Sequence, residues 1–107
     1  MTYRIVVQPT AVHDVQQLYH WIAERSAGGA LRWYQQWFKA VDSLRRNPLA
    51  YGLAPESDFV DVEIRQILFR TRRGRIYRAL FSIEGEVVRV LHVRGSGQAP
   101  VAPDELQ

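Results

Sequence analysis

Between Glu63 and Arg94 the chain reads EIRQILFRTRRGRIYRALFSIEGEVVRVLHVR, and this stretch limits the possible folds more than any other. Val87, Arg89, Leu91 and Val93 alternate with Val88, Val90, His92 and Arg94, and the dominance of β-branched residues suits a pleated strand covered on at least one face. Two turn signals divide the stretch. One is Arg70 to Arg75, RTRRGR; the other is Glu84-Gly85, where glycine readily takes the positive φ that a two-residue hairpin turn requires. Three consecutive antiparallel strands are the expected result.

A turn centred on Glu84-Gly85 pairs Ile83 with Glu86, Leu80 with Arg89, Arg78 with Leu91 and Tyr77 with His92. The two-residue side-chain period then sorts the faces. Tyr77, Ala79, Phe81, Ile83, Val88, Val90 and His92 form the more continuously apolar face, the one helices should cover. Ile76, Arg78, Leu80, Ser82, Arg89 and Leu91 form the other. Arg78, in mid-strand among aliphatic neighbours, is either a solvated edge residue or the centre of an anion-binding surface.

The chain has 107 residues, 47% of them hydrophobic, which suits one small domain with a core of modest size. It contains no cysteine, so disulfides, thiolate metal sites and thiol nucleophiles are excluded, and a reducing cytosol is compatible. The N-terminal MTYRIVVQP lacks the apolar core and cleavage site of a secretion signal, and no apolar run is long enough to span a membrane. A cytoplasmic location is expected. The formal net charge is +3, yet residues 63–94 hold eight arginines against three glutamates, so the sheet is the basic part. Of the 14 basic residues only Lys39 is not arginine, and arginine's planar fork suits phosphate or carboxylate. That favours an acidic partner or nucleic acid. Arg70, Arg72, Arg73 and Arg75 have the plainer reading of solubilising an exposed hairpin.

Tyr3 to Val7 is a short apolar strand closed by Gln8-Pro9. Thr10 is placed to cap a helix over about residues 10–26, with Asp14 near its positive end and Ala11, Val15, Leu18 and Ile22 on one face. Gly28-Gly29 is the expected stop. A second helix from about Ala30 to Asn47-Pro48 carries Ala30, Trp33, Trp37, Val41 and Leu44 in one stripe, flanked by Tyr34 and Phe38. Those aromatics exceed what a small sheet covers completely; core packing is the favoured reading for Trp33, Tyr34 and Trp37, with partial exposure toward a partner as the alternative. Residues 48–61 read as an acidic surface loop. Residues 98–107, rich in Gly, Pro and polar side chains, read as a flexible tail after a single domain over residues 1–97.

The order β-α-α-β-β-β gives an α+β fold, a helical hairpin on one face of a small, mainly antiparallel sheet. Several segments carry a resemblance: the opening strand with Pro9, WIAERS at Trp21 to Ser26, SLRRNP at Ser43 to Pro48, and above all Tyr77-Arg78-Ala79-Leu80-Phe81 followed by Val90-Leu91-His92-Val93-Arg94. From Tyr3 to about Gly97 the chain resembles the RelE/ParE toxins of bacterial type II toxin–antitoxin modules, also called plasmid stabilisation proteins. The resemblance implies a small toxin that inhibits growth, neutralised by a cognate antitoxin whose acidic or amphipathic segment wraps the sheet and helices. Operator DNA would be met only through the antitoxin complex.

The ParE-like branch blocks DNA gyrase, whereas the RelE-like branch cleaves messenger RNA on the ribosome with strand arginines and a C-terminal acid–base group. Arg65 and Arg78 match the basic strand positions of the RelE branch and are its candidate catalytic residues. Together with Arg89 and Arg94 they are also the candidate anion- or target-binding set. The later basic position of the RelE branch falls near Gly97 here and no tyrosine follows Tyr77, so the C-terminal catalytic groups lack counterparts. The expectation is therefore a binding toxin acting on gyrase or another protein. The ribosome-dependent mRNA endoribonuclease (mRNA interferase) and an inactive relative remain as alternatives. His92 is expected to be a buried structural histidine on the helix-covered face. His13 and His20 read as helix-surface residues whose spacing does not suit a metal, and neither a metal nor a cofactor is expected.

Overall fold

The structure, a computed structural model, describes residues 2–106. Strand β1 (Arg4–Val7) leads into α1 (Pro9–Ala23) and α2 (Ala27–Ser43), and β2 (Arg65–Phe69), β3 (Tyr77–Glu84) and β4 (Val87–Gly95) follow. Short 3₁₀ turns occupy Pro48–Ala50, Pro55–Phe59 and Pro103–Leu106. The strand order is β1-β4-β3-β2. The last three strands are antiparallel neighbours and β1 lies parallel to β4, the helical hairpin supplying the crossover between them. The result is the expected α+β fold, with two helices on one face of a four-stranded mixed sheet.

Proline at the first helical position starts α1, and Thr10 does not cap it. Gly28-Gly29 does not end it either. The chain leaves α1 at Ala23, and Ser26 caps α2 by accepting the Gly29 N–H at 2.9 Å, so both glycines lie in the first turn of α2. A serine side chain that satisfies an orphan N–H starts a helix here where the glycine pair suggested a stop. Trp33 and Trp37 are buried against Phe69, at ring separations of 5.8 and 5.9 Å, and Trp33 meets Tyr77 edge-on. Tyr34 and Phe38 are the aromatics of α2 that face outward.

The β3–β4 hairpin turns at Gly85-Glu86, one residue later than expected, with Gly85 at φ +60° as the first central residue. Ile83 therefore pairs with Val88 and Phe81 with Val90. The register then shifts between Leu80 and Phe81, leaving Leu91 as an extra residue, and Leu80 pairs with His92 and Arg78 with Arg94. Relative to the expected register the first change moves the pairing by two residues and keeps every face, while the bulge moves it by one and exchanges them. Val88, Val90 and Val93 thus face the helices with Tyr77, Ala79 and Phe81. His92 is buried, as expected, but opposite Leu80, on the other face from the one assigned to it.

The bulge has its own support. Beyond the end of β1, the first turns of α1 lie along β4: Thr10 Oγ1 donates to the Leu91 carbonyl at 2.7 Å, and Asp14 Oδ2 accepts the Val93 N–H at 3.0 Å. Backbone groups that β1 is too short to reach are satisfied by side chains instead.

A second, smaller core lies on the face away from the helices. There Leu80 packs with Ala54, Ile64 and Val101, bordered by Val60, Leu91 and Leu106. The 48–61 connection contributes buried Pro48, Ala54 and Glu56 to the fold. It is held beside β2 by Ala54 N–H to the Ile64 carbonyl at 2.7 Å and Gln66 N–H to the Gly52 carbonyl at 3.1 Å. Residues 99–106, read from sequence as flexible, cross this face with Val101 only 3% exposed.

Candidate functional site

Arg78 and Arg94 stand directly opposite each other on β3 and β4. Like charges at such a position repel, and three carboxylates from outside the sheet offset this. Glu56 takes the Arg78 guanidinium in a bidentate pair, Nη1 to Oε1 at 2.7 Å and Nη2 to Oε2 at 2.6 Å, with Gln66 Oε1 adding a contact at 3.2 Å. Asp14 and Glu105 take Arg94, at 3.2 and 3.1 Å.

Glu56 is 2% exposed and also accepts the Val101 N–H at 3.0 Å. Burial pushes its pKa up. The Arg78 guanidinium and the backbone N–H groups outweigh that and hold the carboxyl below its ordinary value. The loop is built to present it: Pro55 opens the 3₁₀ turn, and Ser57 Oγ accepts the Ile64 N–H at 3.0 Å. Neither Glu56, Asp14 nor Glu105 stands out in the sequence as a site residue. The one available signal was physical, since a mid-strand arginine between aliphatic neighbours needs a carboxylate from somewhere.

His92 joins the same cluster. Its Nδ1 lies 2.9 Å from Asp14 Oδ2 and its Nε2 lies 3.0 Å from the Glu105 carbonyl. Both partners are acceptors, so the neutral ring donates to only one of them and the doubly protonated ring to both.

The remaining candidates lie apart. Arg65 Nη1 donates to the Tyr51 carbonyl at 2.6 Å, with Glu63 3.6 Å from Nη2. Arg89 Nε donates to Glu84 Oε2 at 3.1 Å. Arg65, Ser82, Arg89, Leu91 and Leu106 line a groove of about 450 Å³. A larger cleft of about 720 Å³ lies between α1 and the end of β4, lined by Trp21, Arg75, Tyr77, Arg94 and the 95–100 segment. Burial pushes the Tyr77 phenol up, against an opposing pull from Arg75. Among the described residues, all four candidate arginines have an internal carboxylate. The exposed turn arginines Arg70, Arg72, Arg73 and Arg75 have none among those residues. No group of three or more His, Asp or Glu among these residues is placed to hold a metal. Among the described residues no helix is long and apolar enough to cross a membrane.

A helical hairpin on a mixed four-stranded sheet, with arginines on the opposite face, is the architecture of the RelE/ParE-like toxins. Residues 5–100 match the family model described as ParE toxin of type II toxin-antitoxin system, parDE, and the chain belongs to that family. It is thus a toxin of the type II toxin–antitoxin class, with an antitoxin as its partner. A search of curated proteins finds no match.

Proposed function

We propose that this toxin arrests growth by binding a protein target, DNA gyrase in the first instance, and that its cognate antitoxin blocks that contact. The observation that carries this reading is the state of Arg78. A ribonuclease needs this guanidinium for a phosphate whose charge grows in the transition state. Here both of its terminal nitrogens are committed to buried Glu56. Arg94 and Arg65 are likewise engaged, and the chain has no tyrosine after Tyr77. Binding, in contrast, needs surface, and Leu31, Tyr34 and Phe38 on the outer side of α2 provide an apolar one, with Phe38 64% exposed.

The test is inducible expression followed by two readouts. Growth arrest with messenger RNA intact by primer extension, and inhibition of gyrase supercoiling by purified protein, are the expected results. Discrete new 5′ ends within translated codons, with supercoiling unaffected, would replace this reading with the endoribonuclease one.

A further inference from the structure

We propose that the cleft between α1 and the end of β4 is a small-molecule site, and that its ligands are planar aromatic carboxylates. The site is independent of the macromolecule that the toxin inhibits.

Its walls are set by the backbone. Asp14, Gln17, Leu18 and Trp21 line one side, at the i, i+3, i+4, i+7 spacing of a single helix face. Asp14 ties that face to β4 by accepting the Val93 N–H at 3.0 Å. The other side is the turn after β4, closed by the Gln98 N–H on the Gly95 carbonyl at 3.1 Å and by Gln98 Oε1 accepting the Gly95 N–H. A Cβ at Gly95 would come within 2.8 Å of Tyr77 Cε2, so only glycine lets this strand end lie against the Tyr77 ring. The space of about 720 Å³ falls in the range of sites that hold small molecules, roughly 300–1,000 Å³.

Tyr77 is the group that points to a ligand. The residue is only 7% exposed, and its hydroxyl has no hydrogen-bond partner among the described residues. It is not sealed in either, because the one enclosed side-chain atom without a partner there is Trp33 Nε1. The oxygen therefore meets open space, and the open space against Tyr77 is this cleft. Burial raises the phenol's pKa, which keeps it an O–H donor at neutral pH.

The neighbouring groups define what it would donate to. Arg94 is held between Asp14 and Glu105, whereas Arg75 meets no carboxylate among the described residues and lies close enough to Tyr77 to pull against its shift. Two arginines thus balance two acids, and a multiply charged phosphate ester finds no surplus of positive charge. A single carboxylate beside Arg75 gains an ion pair and the Tyr77 hydroxyl. Trp21, 44% exposed, supplies the surface for a flat ring. The Arg25 guanidinium covers the indole 3.7 Å from a ring centroid but does not line the cleft, which leaves the other side of the indole to a ligand.

The experiment follows the amide and indole N–H resonances of the full chain by two-dimensional NMR during titration with 2-naphthoate. Saturable shifts are expected at residues 95–98 and at the Trp21 indole, with a Kd on the order of 1 mM or tighter. The neutral 2-naphthamide and the non-aromatic cyclohexanecarboxylate should bind more weakly. Arg75→Gln should lower naphthoate affinity about threefold to fivefold and leave that for naphthamide unchanged. Trp21→Leu should lower both. These two positions are exposed, so folding is expected to survive; Tyr77→Phe, where it folds, should repeat the Arg75→Gln result. Absent shifts, shifts confined to other residues, naphthamide binding as tightly as naphthoate, or affinities unchanged in Arg75→Gln and Trp21→Leu would overturn the proposal.

Discussion

Arg78 and Glu56 form the most consequential pair in the molecule, because each is stable where it is only through the other. Removing the guanidinium strands a carboxylate that is 2% exposed, so Arg78→Ala should cost about 3–5 kcal/mol, the usual range for breaking a buried pair from one side. Replacing both partners with apolar residues, Glu56→Leu with Arg78→Met, should cost less than the single change; urea midpoints compare the two. Toxicity lost in Arg78→Ala would therefore report on folding as well as on any contact. The pH dependence follows from the direction of the Glu56 shift. Its pKa is depressed in the folded state, so its contribution is fully present above the ordinary value of 4.5 and is lost as pH falls through the folded value below that. Thermal melts at descending pH should show a loss below pH 4.5 in wild type that is smaller in Glu56→Gln. The special position of Arg78 was legible in the sequence from its aliphatic neighbours. Its partner was not, because Glu56, Asp58, Asp61 and Glu63 stand in one connection and nothing local distinguishes them.

At the scale of elements, the alternating valines of β4 announced a strand, and the face of every residue before the bulge could be read correctly. The bulge could not be read. VVRVLHVR alternates without a break, and the extra residue at Leu91 is accommodated by Thr10 and Asp14, some eighty positions earlier. The helical hairpin divides in the same way. The apolar stripe of α2 was legible and Trp37 is 6% exposed within it, so Trp37→Ala should cost about 3–5 kcal/mol while Arg72→Ala stays within about 0.5 kcal/mol. Equal denaturant midpoints would mean that the tryptophan is not a core residue. The join between the helices was misread because glycine marks both helix ends and flexible first turns, and only the Ser26 hydroxyl decides between them. Ser26→Ala should accordingly lower stability by about 0.5–2 kcal/mol, measured in the same melts.

For the molecule as a whole, the sequence places a surplus of positive charge on residues 63–94, but the fold consumes much of it. Arg65, Arg78, Arg89 and Arg94 each meet a carboxylate, and the cations of this stretch that meet none among the described residues are Arg70, Arg72, Arg73 and Arg75 at the β2–β3 turn; outside it Arg4, Arg32 and Lys39 also meet none. Apolar surface is placed elsewhere, on the outer side of α2 and along Leu49, Leu53, Phe59 and Val62. A partner recognised by both surfaces would be steered by the turn and retained by apolar burial. These contributions separate kinetically, because exposed charges act mainly on association and are screened within about 10 Å at 0.1 M salt and about 3 Å at 1 M. Raising the salt concentration should therefore slow association of the cognate antitoxin and leave its dissociation nearly unchanged. Replacing the four turn arginines with glutamine should flatten that dependence while preserving the dissociation rate. Stopped-flow association at several salt concentrations is the measurement. A salt dependence that survives the four substitutions would place the steering charge on Arg4, Arg32 and Lys39, which meet no carboxylate among the described residues, or on the arginines of the sheet face, whose internal carboxylates would then have to give way on binding.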